Sequence, residues 1–343
     1  MIDSPGLYAL SDPFPTPGIA FYKGLKVTVL GATGLIGSYV VKLLKESGAI
    51  TRSICHRRLP NSYTLMASDT QHLYDLGNHV EAIDALGSPP GTPDVVLCCA
   101  GITGGVNLPS LDPVSYVGPA TAIVINSLHA AFVKKVPRFG FLSSTTVYAP
   151  SETPAKEDDV DTSNQLYPLY RGIGESKRFL EKLCLYYHET TKIGVGVVRP
   201  SGAYGRFDNF DEKTSHVLPG MVDRALKLRP GQPFEIWGDG QDVRDFIHAQ
   251  DVARCLLLAV ARQPDATPIN AASGQGITTM RLAEHILEAV GSRAEIKFNP
   301  GKPSALRTRT VDVSRAKKLL DFKAQISLPA GILDVVNWRR LYP

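Results

Sequence analysis

Apolar runs alternate with segments of helical spacing from residue 25 to about residue 200. The apolar runs predict β-strands at 25–30, 50–55, 94–99, 138–144 and 193–199. The segments between them predict helices at 36–47, 78–87, 114–134 and 172–190. Strands that alternate with helix-length crossovers predict an α/β fold with a doubly wound parallel sheet of the Rossmann type.

The pattern changes after Pro200. Residues 201–215 are rich in Gly, Asp and Asn and predict a loop before a helix at 217–228. Asp245–His248 and the helix predicted at 249–261 are expected to return to the large sheet. The other predicted elements are a short strand at 234–237 and helices at 279–291, 314–320 and 328–339. These elements predict a smaller C-terminal α/β domain.

The pattern divides the chain into three parts. Residues 1–23 form an N-terminal arm with four prolines, for which a surface-bound segment and simple disorder are equally good interpretations. Residues 24–200 together with about 241–275 form the predicted nucleotide-binding domain. Residues 201–240 and 276–343 form the predicted substrate domain.

Composition excludes several classes of protein. The formal net charge is +4 and the basic residues are scattered, which disfavours a nucleic-acid partner. No apolar stretch approaches the roughly 20 residues that span a bilayer, and the N-terminus does not resemble a signal peptide, so a cytoplasmic protein is predicted. Five cysteines, most of them in apolar runs, predict buried free thiols, and the carboxylates Asp239 and Asp242 indicate a turn rather than a metal site.

Three glycines spaced three residues apart follow the first predicted strand and open the first predicted helix. They are Gly31, Gly34 and Gly37, in the stretch Gly31-Ala-Thr33-Gly-Leu35-Ile36-Gly37. A strand–turn–helix junction of this kind aims backbone N–H groups at a pyrophosphate, whose charge the helix dipole favours. The context predicts a dinucleotide cofactor, with Thr33, Leu35 and Ile36 also at the turn.

Other strand ends add to this cofactor site. Arg57 and Arg58 end the second strand where a carboxylate would accept from the NAD ribose, so NADP(H) is favoured over NAD(H). A solvated loop is the alternative interpretation of these two arginines. The remaining predicted cofactor contacts follow strand-like runs: Asp75, Leu76, Cys99, Ala100, Gly101 and Pro200.

These features resemble the extended short-chain dehydrogenase/reductase family, which acts on nucleotide-linked sugars. The matching positions beyond the glycines are Asn126, Ser143–Tyr148, Lys177 and Trp237–His248. The resemblance implies a nucleoside-diphosphate sugar as substrate. It also implies a homodimer formed by the helices at 114–134 and 172–190, although burial in the core explains their apolar faces equally well.

Within that family the resemblance is strongest to the GDP-L-fucose synthases. It rests on Asp208–Phe210 with Ser215–Pro219, on Ile102–Val106, and loosely on the segment from Pro303 to Val313. It implies that the substrate is contacted by Asn209, His216, Val217, Trp237 and Arg244.

The resemblance assigns Ser144 and Lys177 to the catalytic centre but leaves one expected group missing. The family's tyrosine lies four residues before the lysine, where this chain has Ile173, which cannot transfer a proton. Tyr170 is a candidate replacement, seven residues before Lys177. Tyr148, Tyr167 and Tyr204 are other phenols near the predicted cleft, each more typical of packing.

Two further positions concern inversion at a carbon beside the keto group. Thr146 stands in the place of an acid–base cysteine, and His216 in the place of its histidine partner. A threonine hydroxyl is a far weaker acid than a thiol, which makes Thr146 a poor substitute. His216 remains a candidate acid or base, against the alternative of a helix-start histidine bonded to backbone.

Three functions follow from these residues. The favoured one is an NADP(H)-binding epimerase/reductase for a keto-deoxy sugar linked to a nucleoside diphosphate, with guanine as a candidate base. The second is an epimerase or dehydratase that retains its cofactor without net redox. The third is a non-catalytic NADP(H)-binding protein.

Overall fold

The structure is a computed structural model. It describes residues 13–14, 18–56, 61–89, 91–102, 114–301 and 306–342. Its α-helices are α1 (Leu35–Glu46), α2 (Ser62–Ala67), α3 (His79–Asp84), α4 (Val117–Val133), α5 (Arg171–Thr191), α6 (Val217–Leu226), α7 (Ala249–Arg262), α8 (Thr279–Val290), α9 (Ser314–Leu320) and α10 (Leu328–Leu341). In the described part of the chain, no helix combines the length and the apolar composition needed to cross a bilayer.

The strands follow the same order along the chain. They are β1 (Lys26–Leu30), β2 (Ile50–Cys55), β3 (Thr70–Leu73), β4 (Val95–Cys98), β5 (Arg138–Leu142), β6 (Gly194–Pro200), β7 (Gly202–Tyr204), β8 (Phe234–Trp237), β9 (Val243–His248), β10 (Asp265–Ala271), β11 (Gly276–Thr278), β12 (Ile296–Asn299) and β13 (Thr308–Arg309).

The large sheet has seven parallel strands in the order β10-β6-β5-β4-β1-β2-β3. The first six strands of the chain therefore lie in the order 3-2-1-4-5-6, which is the Rossmann arrangement. The predicted doubly wound α/β fold is confirmed. The sequence pattern did not predict β10, because Asp265–Ala271 mixes polar and apolar residues at the edge of the sheet.

Both faces of this sheet are covered by helices. Along β4, Val95 and Leu97 belong to the core that includes α1 and α7, whereas Val96 and Cys98 belong to the core that includes α4 and α5. Successive residues of a strand point to opposite faces, so a strand covered on both sides must be apolar throughout. This explains the continuous apolar runs of the sequence.

A second group of elements carries its own core. Helices α6, α8 and α10 pack around β8 through residues such as Leu218, Phe234, Leu282 and Ile332. Strand β9 pairs with β7, β11 and β13 in a four-stranded sheet, and β8 pairs with β12. The predicted domain boundaries stay a prediction, although this core draws on residues of the segments assigned to the substrate domain.

Two local predictions are wrong. Asp245–His248 lies in β9 of the four-stranded sheet and does not rejoin the large sheet, whereas the following helix α7 does pack against β5 and β6. Ile247 joins the core of the large sheet and Phe246 the smaller core, so the strand lies between the two. The predicted loop at 201–215 contains the short strand β7, which pairs with β9.

The predicted N-terminal arm falls mostly outside the described residues. Of its last part, Tyr22 is fully buried and its hydroxyl donates to the carbonyl of Leu257 in α7 at 2.8 Å. The prediction of free thiols is confirmed: Cys55, Cys98, Cys184 and Cys255 are buried and unpaired, and Cys99 is half-buried and unpaired.

Candidate active site

The glycine turn between β1 and α1 admits no larger residues at two positions. Gly31 has φ +76°, and a Cβ there would lie 2.6 Å from the backbone of Ala100. A Cβ at Gly37 would lie 2.2 Å from the carbonyl oxygen of Gly31, because the first turn of α1 packs directly on the loop. The turn therefore brings bare backbone to the carboxyl ends of β1 and β4.

The N-terminus of α1 is open to an anion. Gly34 is its N-cap residue, no side chain caps it, and Thr33 is buried beside it. The first N–H groups of a helix have no partner within the helix, so those of Leu35 and Ile36 are suited to phosphate oxygens. The residues present thus fit the pyrophosphate of a dinucleotide.

The loop after β3, which lies beside this turn, is held by hydrogen bonds from side chains. Asn126 in α4 donates to the carbonyl oxygens of Leu76 at 3.1 Å and Gly77 at 2.9 Å, fixing the loop that follows β3. The Asp75 carboxylate accepts from the N–H of Gly77, so its side chain is bonded within this loop. Leu76 therefore lies on a fixed loop beside the turn.

Of the other predicted cofactor contacts, four lie at strand ends and two lie outside the described residues. Cys99, Ala100 and Gly101 follow β4, the neighbour of β1, and Pro200 ends β6, so all four lie at carboxyl ends of the large sheet. Arg57 and Arg58 lie outside the described residues. The preference for NADP(H) therefore stays a prediction.

Lys177 and Ser144 both lie near the carboxyl end of β5. The Nζ of Lys177 in α5 donates to the carbonyl oxygen of Leu142 at 2.8 Å. Burial lowers the pKa of Lys177 to about 8, against the opposing effect of Cys98, Glu181 and Cys184. The Oγ of Ser144 accepts from the N–H of Thr146 at 3.1 Å, which leaves its own O–H to donate to a ligand.

Isoleucine occupies the helical position one turn before the lysine. Ile173 is half-buried in α5 and lies four residues before Lys177, on the same face. Thr146 lies close by, because a Cβ at Gly174 would come within 2.5 Å of the Thr146 carbonyl oxygen. The Thr146 hydroxyl is buried without a hydrogen-bond partner among the described residues.

Tyr148 belongs to a buried network and not to the cleft. Its hydroxyl donates to Asn270 at 2.6 Å and accepts from Arg199 at 2.8 Å. Burial raises the pKa of Tyr148 to about 12, although Arg199 acts in the opposite direction. This phenol has a structural role.

Two arginines lie side by side on paired strands. Arg244 of β9 and Arg309 of β13 are register partners. The Nη2 of Arg309 donates to the Thr145 hydroxyl at 2.9 Å, and its guanidinium lies 4.9 Å from the ring centroid of Tyr170. Like charges directly opposite each other are unfavourable in a sheet, so this pair is suited to an anionic ligand.

Tyr170 precedes α5 in a 3₁₀ turn and does not project from the helix face that bears Lys177. Its ring contacts Arg309, and Tyr167 lies next to it with ring centroids 5.8 Å apart. Tyr204 is buried in the core below the site. Tyr170 is therefore the phenol that contacts the arginine pair.

His216 stands at the start of α6 beside an acidic side chain. Its Nδ1 lies 3.5 Å from Oδ1 of the buried carboxylate of Asp208. Burial lowers the pKa of His216, Asp208 raises it, and Arg309 lowers it, with a net pKa above the ordinary value. The side chain makes no capping bond to the helix backbone, so the alternative of a backbone-bonded histidine does not apply.

The remaining predicted substrate contacts lie around this histidine and on β8. Val217 is the exposed first residue of α6. The side chain of Asn209 bonds to Thr214 and to the N–H of Asp211, within its own loop. Trp237 ends β8, 5.9 Å from the guanidinium of Arg224.

Sequence reasoning missed Arg309 and Thr145 as members of the site. Arg309 lies on a two-residue strand without a periodic pattern, and its contact with Thr145 joins positions 164 residues apart. The predicted turn at Asp239 and Asp242 is found, with Asp239 bonded to Arg307 at 2.8 Å. Within the described ranges no three His, Cys, Asp or Glu side chains are grouped to hold a metal.

The Rossmann sheet, the glycine turn and the polar cleft beside it define a dinucleotide-binding α/β protein. The family model described as "NAD dependent epimerase/dehydratase family" matches residues 27–272. The chain belongs to this family, which confirms the resemblance to the extended short-chain dehydrogenase/reductases.

Curated relatives match over nearly the whole chain. A dTDP-4-dehydro-6-deoxy-D-allose reductase of a Streptomyces species is 27% identical over 326 residues, covering 94% of this chain and 98% of the relative. GDP-L-fucose synthase 1 of Arabidopsis thaliana is 26% identical over 324 residues, covering 92% and 93%. The predicted likeness to the GDP-L-fucose synthases is thus confirmed.

The fold is shared with solved structures. The UDP-glucose 4-epimerase of Thermotoga maritima, solved with UDP-glucose, superposes with a TM-score of 0.80 at 21% identity. The match covers 92% of this chain and 99% of that protein.

Proposed function

We propose that this chain is an NADP(H)-dependent nucleotide-sugar epimerase/reductase that acts on a keto-deoxy sugar linked to a nucleoside diphosphate, GDP being the candidate carrier. The observation that carries the proposal is the contact of Arg309 with Thr145. It joins the arginine pair, suited to a diphosphate sugar, to the strand end that bears Ser144. The relatives that act on dTDP- and GDP-linked sugars support the same substrate class.

The cofactor in this proposal lies along the glycine turn. The N–H groups of Leu35 and Ile36 hold its pyrophosphate, and Lys177 binds the ribose near the nicotinamide. Arg57 and Arg58 favour the 2′-phosphate of NADP(H). When bound, the cofactor supplies or accepts a hydride.

The side chains of the cleft hold the sugar and move the proton. The Oγ–H of Ser144 donates to the keto oxygen, and Arg244 neutralises the diphosphate. His216 has Nδ1 directed at Asp208, which leaves Nε2 to take a proton from, or return it to, the carbon beside the keto group.

A specific residue favours the second candidate, an epimerase without net redox. Ile173 supplies no phenol to protonate or deprotonate the oxygen during hydride transfer, a loss of about 10²–10⁴-fold for general acid–base catalysis. Proton transfer beside an existing keto group needs no such phenol. His216 removes the proton in this proposal, and water returns one to the opposite face of the carbon.

Two measurements on purified protein decide between these functions. A GDP-linked and a dTDP-linked keto-deoxyhexose are supplied with NADPH, and the loss of NADPH is compared with the sugar product by mass spectrometry. Equal amounts support the reductase, and product without NADPH loss supports the epimerase. No product from either sugar, with normal NADPH binding, contradicts the enzymatic proposal and supports a non-catalytic binding protein.

Variants of two site residues test their assigned roles. His216→Ala and Ser144→Ala are expected to abolish product formation while NADPH binding, followed by fluorescence, stays unchanged. Loss of NADPH binding in these two variants would contradict the assigned roles.

We also propose a cytoplasmic homodimer formed through α4 and α5. Five large apolar side chains on these helices are 42–60% exposed: Phe132, Val133, Phe179, Leu185 and Tyr186. The two helices pack against each other, and exposed apolar patches are typical of interaction surfaces. Sedimentation of Phe179→Glu is expected to show a monomer, and a monomeric wild-type chain would contradict the proposal.

A further inference from the structure

Arg309 and its strand partner Arg244 make different hydrogen bonds. The Nη1 of Arg244 donates to the carbonyl of Val243 at 2.7 Å, and its Nη2 lies 3.5 Å from Asp242, so this guanidinium stays near its own strand. Arg309 instead bonds through Nε at 3.3 Å and Nη2 at 2.9 Å to Thr145. Arg309 is therefore bonded to the residue after Ser144, whereas Arg244 is bonded to its own strand.

The guanidinium of Arg309 is bonded to the residue that follows Ser144. Thr145 directly follows Ser144, whose hydroxyl is free to donate. The positive charge of Arg309 also lowers the pKa of His216. Arg309 thus contacts the residue next to a hydrogen-bond donor for a keto oxygen, and its charge acts on a candidate proton acceptor.

Arg309 also keeps donors and charge for a ligand. The bonds to Thr145 use two of its five N–H groups. Tyr170 covers the face of the guanidinium at 4.9 Å and holds its orientation. A guanidinium stays protonated near neutral pH, so it stabilises a negative oxygen without transferring a proton to it.

We infer that Arg309 is the oxyanion-stabilising residue of this site. It stabilises the negative oxygen that the phenol missing at Ile173 would otherwise stabilise. The inference rests on the proposed function. His216 Nε2 removes the proton from the carbon beside the keto group, and the C–H pair forms a carbon–carbon double bond. The carbonyl π pair moves to oxygen, where Arg309 and Ser144 Oγ–H hold the negative charge. Return of a proton to carbon, from His216 or from water, restores the keto group.

The step predicts exchange of sugar hydrogen with solvent. The wild-type protein, loaded with NADPH, is incubated in D₂O with the GDP-linked and the dTDP-linked keto-deoxyhexose, and deuterium in the sugar is followed by mass spectrometry. Arg309→Met is expected to slow exchange by about 10²–10³-fold, as removal of one oxyanion donor does. Arg309→Lys keeps a cation and is expected to recover part of the rate.

Binding of GDP and dTDP without a sugar separates the two arginines. Calorimetry is expected to show wild-type affinity in Arg309→Met and weakened affinity in Arg244→Met. Arg281→Met is the control for removal of an arginine charge, because its exposed side chain lies on α8 and pairs with Glu284. It is expected to exchange at the wild-type rate.

Three outcomes overturn the inference. Exchange by Arg309→Met at the wild-type rate removes Arg309 from the chemistry. An equal loss of nucleotide affinity in Arg309→Met and Arg244→Met assigns both arginines to the diphosphate. Absence of both exchange and nucleotide binding in the wild-type protein refutes the proposed function, and the inference fails with it. Thermal denaturation and recovery of exchange by added guanidinium show that Arg309→Met is folded.

Discussion

The charged groups of the cleft come from different segments of the chain, and each one is held by the residues that it contacts. Arg309 reaches Thr145 across 164 residues, and His216 is paired with a carboxylate eight residues before it. Position 173, one helical turn before Lys177, has an isoleucine. In the proposed function, the other residues of the cleft move a proton at carbon and hold charge on oxygen.

The pH dependence of exchange is expected to follow His216. Asp208 stabilises the imidazolium and raises its pKa, so Asp208→Asn lowers the pKa of His216. The base form then appears at lower pH, and the acid limb of the exchange profile moves in that direction. Rates measured across the pH range, with an NMR titration of His216, provide the test.

Glu212→Gln is the control for this prediction, since Glu212 is an exposed carboxylate on the same loop. Its profile is expected to match the wild type. An unshifted profile in Asp208→Asn would show that another group titrates during the reaction.

At the scale of elements, the site depends on close contact between β1, β4 and α1. Gly31 and Gly37 let the backbone of the turn contact Ala100 and the first turn of the helix. The helix N-terminus is thereby left uncapped and directed at the cofactor site. The small sheet brings β9 and β13 together and so places Arg244 next to Arg309.

Alanine at Gly31 is expected to weaken both folding and cofactor binding. The added Cβ meets the backbone of Ala100 at 2.6 Å, and φ is +76°, so the free energy of unfolding should fall by more than about 1 kcal/mol. NADPH titration and urea denaturation measure the two effects.

Gly118→Ala is the comparison, because nothing lies within 4 Å of a Cβ at that helical position. It is expected to keep or raise stability and to bind NADPH normally. Similar losses in both variants would mean that the turn is not the sensitive element.

For the whole molecule, a buried polar network ties the large sheet to α5 and to the segment before it. Arg199 of β6 bonds to Glu181 of α5 at 2.6 and 2.9 Å, and to the Tyr148 hydroxyl and the Glu157 carbonyl. Glu181 also accepts from Ser143. The network holds the strand end that bears Ser144 while staying outside the cleft.

Breaking this network is expected to destabilise the fold strongly. Glu181→Gln leaves the buried guanidinium of Arg199 without its counter-charge, which costs about 3–5 kcal/mol in comparable cases. Urea denaturation measures the loss. Lys317→Gln, which removes an exposed pair with Asp321, should leave the denaturation midpoint nearly unchanged.

The sequence alone predicts the elements whose pattern is local and strong. The apolar strands and their crossover helices were located to within a few residues, and the spacing of Gly31, Gly34 and Gly37 predicted the cofactor turn. The weak patterns failed: β10, with its polar residues at a sheet edge, was not predicted, and β9 was assigned to the wrong sheet. Nothing in a strand of six residues specifies which edge it will pair with.

Local patterns in the chain predict the Rossmann architecture and the glycine turn, because hydrophobic period and glycine spacing are properties of neighbouring residues. Only the tertiary structure placed Arg309 against Thr145, oriented His216 toward Asp208, and moved Tyr148 into a buried network. Those contacts join residues that are distant in sequence, or depend on side-chain orientation, which no local pattern encodes. The chemistry of the cleft is decided by such contacts.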